Sequence, residues 1–381
     1  MVVFVAKITG AAIVYSLLNI QVSGTFWFDV NRVFNWGQNT VFLENAHLAP
    51  RWSYAFVGWD SAWYLSIMTR GYGFSSNSYA FSPGFPIFGS AFSLVFGNPV
   101  VSSALCGLVL GVLCVPFFQL VAESYVDKQR ALGLALIFAF SPYVFLFTTV
   151  AYSEGLFLFF TLSAWYLFKK GKSASASGLT AISILTRFVG ALLVLPMCLI
   201  SAQKKGGLRT RWIAFSLLPI AAMFFWLAYC QVTANDFLAF GHTTEWNSLY
   251  TFRTLLLEGL PQKGFNVFQA ALQNTSAPLN WLSPFAVVAA IVVPPFLIFF
   301  VAKKEKSLAV YTLITYVWIL MFGALTSVPR YVSVLFPLWM PLAAPLSMSK
   351  KSIVFLGVAL AVSFLISLSL WVDFLNGVFV A

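Results

Sequence analysis

Long apolar runs dominate the chain, and short polar stretches separate them. A transmembrane helix needs about 20 predominantly apolar residues, and several runs reach or approach that length. They cover residues 2–22, 99–121, 130–150, 153–168, 211–233, 281–302, 307–326, 330–347 and 352–375. No cleavage site with a soluble domain follows the first run, so we interpret it as an uncleaved helix. The pattern predicts an all-α, polytopic protein with a single integral membrane domain over residues 1–381.

Two further apolar stretches are irregular. Residues 81–97 are short and contain Pro83 and Pro86, which argue against an uninterrupted helix. This stretch is either a loop that leads into a helix or a re-entrant wall of a cavity, where non-helical backbone is tolerated at membrane depth. Residues 174–202 carry Arg187 in the middle, and we expect a hairpin of two short helices there.

Composition excludes a soluble protein. Hydrophobic residues make up 60% of the chain and charged residues only 9%, against about 25% charged in soluble domains. A net charge of +11 would suggest nucleic acid for a soluble protein, but here the charges are expected to sort across a membrane, and no nucleic-acid partner is predicted. The four cysteines lie in apolar runs without the paired spacing of a zinc site or a disulfide framework.

The basic residues decide between topologies, because cytoplasmic loops are enriched in Lys and Arg. If 81–97 does not cross and 174–202 is a hairpin, Lys7 and all the basic clusters fall on the cytoplasmic side. These clusters are Lys128/Arg130, Lys169/Lys170/Lys172, Lys204/Lys205/Arg209/Arg211, Lys303/Lys304/Lys306 and Lys350/Lys351. Two long outer loops remain, at about 23–80 and 234–280. Since loops carry function more often than the spans that position them, we expect the chemistry on the outer face.

The first outer loop contains the segment G-W-D-S-A-W-Y-L-S-I-M-T-R-G-Y at residues 58–72. From Ser61 it predicts a short helix that ends at Gly71, with an apolar face suited to the membrane interface. Asp60 stands at the start of this helix. Its carboxylate is either an N-cap or a base at the water–lipid boundary that takes a proton from an incoming hydroxyl.

Two further charged residues lie close to apolar runs. Ser153 and Glu154, in V-A-Y-S-E-G, are either helix caps, or Glu154 faces a cavity and orients a polar substrate. Arg187 lies within a hydrophobic stretch, where a charged side chain is costly and indicates a functional site. At the tip of the expected hairpin its guanidinium would suit a phosphate. The alternative is a structural pairing with Glu154 or another acid.

Arg330, in T-S-V-P-R-Y, is predicted at the outer end of a span. Its side chain either snorkels to the lipid headgroups or binds phosphate beside Arg187.

The second outer loop begins N-D-F-L-A-F-G-H-T-T-E-W-N and holds Asp236, His242, Glu245 and Trp246. With His47 and His242 as the two histidines of the chain, a histidine-rich metal site is excluded. A divalent cation held by Asp and Glu is not excluded, although no metal or other cofactor is required. His242 alone is read more simply as a hydrogen-bonding residue of the interface.

Six motifs in this order resemble the PIG-V type mannosyltransferase family, which includes GPI mannosyltransferase 2 and shorter prokaryotic relatives. They are W-D-S-A-W-Y-L-S-I-M-T-R-G-Y, F-S-P-G-F-P-I-F, Y-S-E-G-L-F, L-T-R-F-V-G, D-F-L-A-F with Trp246 downstream, and P-R-Y followed by F-P. The resemblance covers most of the chain and is to a prokaryotic relative. Two departures are Trp63, where members often have His, and the absence of the large loops of some eukaryotic members, which puts a GPI acceptor in doubt.

The resemblance implies a GT-C glycosyltransferase that takes mannose from a polyprenyl (dolichyl) phosphate mannose donor. The acceptor would be a hydroxyl of a lipid-linked glycan or glycoconjugate, and transfer would occur outside the cytoplasm with inversion. The protein would lie among membrane lipids in the cell membrane of a prokaryote or in the endoplasmic reticulum membrane of a eukaryote.

Asp60 would be the catalytic base, and Arg187 and Arg330 would bind the donor phosphate. The residues expected to position substrates are Trp59, Tyr64, Tyr152, Glu154, Asp236, His242, Glu245, Trp246 and Tyr331. A transporter or flippase of lipid-linked sugars is the main alternative, since it also uses broken helices and buried arginines. It should show two related halves, which the sequence lacks. An inactive scaffold subunit is the third reading.

Overall fold

The structure, a computed structural model, describes most of the chain outside the two long predicted loops. The described residues are 1–21, 49–203, 208–242, 282–322, 327–344, 346, 349–376 and 380. These residues form α-helices, 3₁₀ helices and turns, and they contain no strand, so the predicted all-α class is confirmed for them. His47, Glu245 and Trp246 lie outside the described residues.

The described residues form fourteen α-helices and four 3₁₀ helices. The α-helices are α1 Val2–Gln21, α2 Asp60–Arg70, α3 Gly84–Phe96, α4 Pro99–Ala122, α5 Lys128–Phe140, α6 Pro142–Phe147, α7 Ser153–Lys169, α8 Ser173–Thr186, α9 Val194–Gln203, α10 Leu208–Ala234, α11 Leu282–Lys304, α12 Lys306–Phe322, α13 Val328–Ser333 and α14 Lys350–Leu375. Short 3₁₀ helices cover Arg51–Phe56, Ser76–Ala80, Phe188–Leu193 and Phe336–Ala343.

Four helices of the described part are long and apolar enough to cross a membrane: Pro99–Ala122, Phe215–Ala234, Ala286–Lys304 and Lys350–Leu375. The predicted run at 330–347 is not one helix. The chain forms α13 and then a 3₁₀ helix there, because Pro337 and Pro341 cannot donate the hydrogen bonds of an α-helix. The predicted run at 130–150 is likewise divided, at Pro142, into α5 and α6. The number of crossings therefore stays a prediction.

The stretch 81–97 is more regular than its prolines suggested. Residues Gly84–Phe96 form a single α-helix. Pro83 lies at its N-cap and Pro86 in its first turn, where backbone N–H groups have no partner within the helix and proline costs little. Of the two readings of this stretch, the loop that leads into a helix is therefore the one that the structure shows. With 13 residues, α3 is about 20 Å long, shorter than the ~30 Å hydrocarbon core of a bilayer.

The hairpin around Arg187 is confirmed. Helix α8 ends at Thr186, Arg187 has an extended backbone, and the chain returns through Phe188–Leu193 and α9. Gly190 packs so closely against α8 that an added Cβ would lie 2.8 Å from Ser183 Oγ. Arg187 therefore occupies the tip, as the sequence predicted.

Two ends of the helical bundle are separated by the length of α7. Its first turn holds Glu154 and its last turn Lys169, about 24 Å apart along the axis. At the Lys169 end, the Nζ atom lies 2.9 Å from Glu305, which lies between α11 and α12. Tyr125, before the Lys128/Arg130 cluster, also donates to Glu305 at 2.8 Å. Three of the predicted basic clusters thus share one end of the bundle.

Lys7 departs from the predicted charge distribution. Its side chain is fully buried and donates to Thr148, which lies between α6 and α7. It is not at the end that holds Lys169. Residues 148–154 belong instead to the end that begins α7, so the expectation that Lys7 lies with the basic clusters was wrong.

Glycines allow α4 to pack closely against α7 and against the connection between α6 and α7. A Cβ on Gly111 would lie 1.7 Å from the carbonyl oxygen of Thr148, and one on Gly107 would lie 2.3 Å from that of Val150. Gly155 faces the backbone of Gly111 in the same way. The G-x-x-x-G spacing of Gly107 and Gly111 is a known motif of close helix contact in membranes, although we did not recognise it in the sequence.

Candidate active site

The segment Thr148–Glu154, here called the anchor segment, connects α6 to α7 and carries the centre of the candidate site. Its backbone is fixed by the loop that precedes α2. The Ala151 N–H donates to Phe56 O at 2.7 Å, and the Ser61 hydroxyl donates to Ala151 O at 3.1 Å. Together with the glycine contacts of α4, these bonds leave the segment little freedom to move.

Asp60 begins α2 but does not cap it. The N-cap residue is Trp59, and no side-chain capping bond is present. The Asp60 N–H donates instead to the Tyr152 hydroxyl at 3.0 Å. The alternative in which Asp60 is only an N-cap was therefore wrong, and its carboxylate is left for another partner.

Trp59 adopts a φ of 51°, which is uncommon for a residue other than glycine. Its indole donates to Phe374 O at the end of α14, at 3.0 Å. This bond turns the chain so that Asp60 faces the anchor segment. In this structure Trp59 anchors the start of α2, and its predicted role in positioning substrate stays a prediction.

Four charged side chains alternate in sign across the site, and we call them the charge chain. Arg330 NH1 lies 2.9 Å from Asp60 Oδ2, and Arg330 Nε lies 2.9 Å from Glu154 Oε1. Arg187 NH1 lies 2.5 Å from the same Glu154 oxygen. The order is Asp60, Arg330, Glu154, Arg187, so each interior charge has an opposite charge on both sides.

Burial differs along the charge chain. Glu154 is fully buried and Arg330 is 7% exposed, whereas the side chains of Asp60 and Arg187 are 25% and 19% exposed. The alternative in which Arg330 snorkels to the headgroups was wrong, because its guanidinium points inward to two acids. A buried charge of this kind is stable only when paired, which the alternating order provides.

Glu154 uses one oxygen for both arginines. Its Oε1 faces Arg187 and Arg330, while Oε2 is buried without a hydrogen-bond partner among the described residues. An ionised carboxylate accepts through both oxygens, and leaving one unsatisfied in the interior is unfavourable. The N-cap residue of α7 is Tyr152, and Ser153 and Glu154 follow it in the first turn, so neither of them occupies the N-cap position that the sequence reading gave them.

Aromatic rings enclose the two arginines. Tyr331 lies beneath both guanidiniums, at 4.8 Å from Arg330 and 5.1 Å from Arg187. Tyr152 lies 5.1 Å from Arg330 on another side. Cation–π contacts of this kind stabilise a cation and limit its orientation. Two of the three tyrosines named in the sequence analysis, Tyr152 and Tyr331, thus lie against these arginines.

Tyr64 joins α2 to the first turn of α7. Its hydroxyl donates to Ser153 Oγ at 2.8 Å, and Arg187 NH1 donates to the same oxygen at 3.2 Å. Ser66 of α2 is also buried. Helix α2 therefore packs on most sides against the bundle, with Thr69 exposed near its end.

Asp236 and His242 form a separate, exposed pair after α10. Their side chains meet at 2.8 Å, from Nδ1 of His242 to Oδ2 of Asp236. This hydrogen bond, together with one from the Leu238 N–H, lowers the pKa of the Asp236 carboxyl below its ordinary value. Phe240 packs on Phe188 with centroids 4.8 Å apart, which holds the segment beside the hairpin tip. The pair does not join the charge chain.

A metal site of three or more His, Cys, Asp or Glu residues is absent from the part of the chain that the structure describes. Asp60 and Glu154 are the two acids of the charge chain, and the guanidinium of Arg330 bridges them. The described residues therefore offer no ligand set to which a divalent cation can be assigned.

A family profile described as mannosyltransferase (PIG-V) matches residues 39–245, more than half of the chain. The chain belongs to this mannosyltransferase family. The family resemblance predicted from the motifs is confirmed. A search of curated proteins gives no match.

Solved structures similar to this family member come from Archaeoglobus fulgidus. Its oligosaccharyltransferase, in complex with Zn and sulfate, has 15% sequence identity and a TM-score of 0.48, with coverage of 99% of this chain and 53% of the other. The oligosaccharyltransferase AglB in complex with an inhibitory peptide and a dolichol-phosphate has 13% identity and a TM-score of 0.45, with coverage of 98% and 56%. The chain thus spans about half the length of the structures it matches.

The family match includes Asp60, Glu154 and Arg187 but ends before Arg330. The structure nevertheless brings Arg330 into contact with Asp60 and Glu154. Ser61 and the glycines of α4 are the contributors that the sequence reading missed. Of these, only the glycines had a signal, in their G-x-x-x-G spacing.

Proposed function

We propose that this mannosyltransferase moves mannose from a polyprenyl-phosphate mannose donor to a hydroxyl of a lipid-linked glycan or glycoconjugate on the extracytoplasmic side. The charge chain is the observation that carries the proposal. Its partly exposed Asp60 carboxylate contacts Arg330, and Glu154 joins Arg330 to Arg187. A carboxylate and two cations are the groups needed to accept a proton and to stabilise a departing phosphate.

In the proposed reaction, Asp60 takes the proton of the acceptor hydroxyl as its oxygen attacks the anomeric carbon of the donor. The bond from that carbon to the phosphate oxygen breaks on the opposite face, so the configuration inverts. Polyprenyl phosphate leaves with its negative charge, which Arg187 and Arg330 stabilise. Both arginines suit this role, because guanidinium groups bind two phosphate oxygens at once.

Arg330 has two roles in this proposal, because it would bind the donor phosphate and it also pairs with Asp60 in the structure. A donor phosphate would compete with Asp60 for the same guanidinium. When Arg330 turns to the phosphate, the Asp60 carboxylate loses a cation and becomes a better base.

The remaining predicted residues would position the sugar and the acceptor. The rings of Tyr331 and Tyr152 pack against Arg330. The Glu154 oxygen that has no partner among the described residues would accept a hydrogen bond from a sugar hydroxyl. Trp59 and Tyr64 would hold the start of α2. The Asp236–His242 pair lies beside the hairpin tip, where it would contact the acceptor together with Glu245 and Trp246.

The extracytoplasmic location is supported by the distribution of charge. The candidate site lies at the end of the bundle opposite Lys169, Glu305 and the neighbouring basic clusters. Because basic residues favour the cytoplasmic side, the site end would face outward. No cofactor is needed for this chemistry.

The test is transfer of radiolabelled mannose from dolichyl phosphate mannose to a crude lipid acceptor by purified protein, wild type and Asp60→Asn. We expect Asp60→Asn to lower transfer by about 10² or more while remaining folded. The matched control is Asp127→Asn, since Asp127 caps α5 far from the site and should keep its activity. Full transfer by Asp60→Asn would refute the assignment of the base. Lipid flipping without any transfer would favour the transporter alternative.

A further inference from the structure

Lys7 is a buried charge that the proposed reaction does not use. It is the one charged residue in the sequence of α1, and its side chain is fully buried. A charged side chain inside a membrane helix is unfavourable and, by default, indicates a functional role whose partner should be identified.

The partner of Lys7 is Thr148, the first residue of the anchor segment. Lys7 Nζ donates to Thr148 O at 2.7 Å and to Thr148 Oγ1 at 2.6 Å, and it lies 3.5 Å from Phe145 O. Thr148 is the C-cap of α6, where carbonyl groups lack partners within the helix. A cation is favourable at this position because the C-terminal end of a helix carries partial negative charge.

No acid shares this position among the described residues. Five acids form ion pairs among the described residues, and none of these pairs includes Lys7. The acids are Asp60, Asp127, Glu154, Asp236 and Glu305. The ammonium is therefore stabilised by backbone and hydroxyl oxygens of α6 and Thr148, together with the Phe145 ring at 5.5 Å. Its contacts all act on the start of the anchor segment.

Thr148 is held from two sides. Lys7 of α1 donates to it on one side, and Gly111 of α4 leaves room for its carbonyl on the other. Because the same short segment continues to Tyr152 and Glu154, a shift at Thr148 changes the position of both. Misplacement of reacting groups by about 1 Å can cost two orders of magnitude in rate.

We propose that Lys7 is a positioning residue for the transfer reaction: it fixes the start of the anchor segment and so sets the positions of Tyr152 and Glu154 against Asp60 and Arg330. This inference rests on the proposed function of the site. It assigns to α1 a part in the reaction, although α1 contributes no residue to the charge chain.

The first test compares Lys7→Met, which removes the charge and the donors, with Lys7→Gln, which keeps a neutral donor. Ile8→Met, at an exposed position of the same helix, is the matched control. We expect kcat per folded molecule to fall about tenfold or more in Lys7→Met, to be partly retained in Lys7→Gln, and to be unchanged in Ile8→Met. The donor KM should change little. A wild-type kcat in folded Lys7→Met would overturn the proposal.

Coupling tests whether Lys7 acts through Thr148. If it does, the double variant Lys7→Met/Thr148→Val should lose less activity than the product of the two single losses. Independent, multiplicative losses would contradict the proposed route through Thr148.

A readout without catalysis separates this inference from the proposed function. Hydrogen–deuterium exchange of the 148–154 peptide reports the bond from the Ala151 N–H to Phe56 O. We expect faster exchange there in Lys7→Met, with no change in α8. Unchanged exchange would overturn the role of Lys7, whatever the assay shows. If Lys7→Met exchanges faster but the wild-type protein shows no transferase activity, the proposed function is refuted and the structural role of Lys7 is not. Lys7→Gln serves for both measurements if Lys7→Met does not fold.

Discussion

Two acidic residues, Glu154 in the first turn of α7 and Glu305 beside its last turn, each contact two polar side chains. Their surroundings differ. Glu305 accepts from Lys169 and Tyr125 and has a partly exposed side chain. Glu154 is fully buried and pairs with Arg187 and Arg330, and one of its oxygens has no hydrogen-bond partner in the part of the chain that the structure describes. The Glu305 cluster connects helix ends, while the charge chain accumulates four charges in a small space.

The difference helps to separate ion pairs that only stabilise the fold from ion pairs that indicate a functional site. Lysine and tyrosine around a partly exposed acid are sufficient for a structural clamp, and such pairs contribute little free energy. The buried guanidinium of Arg330 and the partly buried one of Arg187, both with limited orientation, have a desolvation cost that structure alone does not require. A phosphate-bearing substrate would explain why that cost is retained at one end of the bundle.

The largest effect is expected from Arg330. Replacing it by Gln removes the cation between two acids and the proposed phosphate ligand. We expect transfer to fall by about 10²–10³, and the free energy of unfolding to drop by about 3–5 kcal/mol because a buried pair loses one member. Mannose transfer and detergent-based unfolding measure the two effects.

Arg330→Lys is the companion variant, because it retains the charge without the planar group that contacts both acids. It should fold better than Arg330→Gln and still lose activity. If Arg330→Lys were fully active, the claim that this end requires guanidinium chemistry would fail.

A second comparison uses two helical glycines, Gly111 and Gly178, that differ in how closely other atoms pack against them. Gly111→Ala would place a Cβ 1.7 Å from Thr148 O, so we expect a destabilisation of about 1–3 kcal/mol and reduced transfer. Gly178→Ala in α8 meets nothing within 4 Å and should stabilise by about 0.5–1 kcal/mol, as helical glycine replaced by alanine does. Equal effects of the two variants would show that α4 does not hold the anchor segment.

The Glu305 cluster should tolerate change. Glu305→Gln removes the ion pair to Lys169 and keeps a hydrogen-bonding group for Tyr125. We expect a stability loss of about 1 kcal/mol or less and an unchanged kcat. A loss of transfer as large as that of Arg330→Gln would remove the distinction between the two ends.

The smallest effect is expected at Asp236 and His242. The hydrogen bond from His242 lowers the Asp236 pKa below 3.8, so the folded segment favours the ionised acid. Its stabilisation is present at neutral pH and is lost as pH falls through the lowered pKa. The protection of the amides of residues 236–242 against hydrogen exchange, measured relative to the unfolded chain at each pH, should therefore fall at acid pH. In Asp236→Asn this dependence should vanish, and a persistent dependence would assign it to another group.

Periodicity and charge predicted much of the fold. The apolar runs gave the long helices, and the position of Arg187 gave the hairpin, because a charge in an apolar stretch must find a polar end or a partner. The prolines were harder to interpret. Pro83 and Pro86 start a helix, whereas Pro337 and Pro341 prevent one, and the outcome depends on whether the missing N–H falls in a first turn.

Asp60, Glu154, Arg187 and Arg330 were identified as candidates on four segments, and the pairing of Arg187 with Glu154 was one of the readings offered. The contacts of Arg330 with Asp60 and Glu154 were not among them, because sequence offers no rule for which acid meets which base. Lys7 and Ser61 could not have been identified as contributors, since their roles arise from contacts with backbone groups of the anchor segment. Those contacts depend on tertiary packing alone.

The glycine contacts also restrict how a long lipid could reach the site. Gly107 and Gly111 bring α4 against the anchor segment, and a Cβ on Gly84 would lie 2.6 Å from the backbone of Thr186. These two seams between helices are closed to a chain as thick as an isoprenoid. The tail of the proposed polyprenyl donor would therefore enter by a different gap, and larger residues at either seam would not open a route for it.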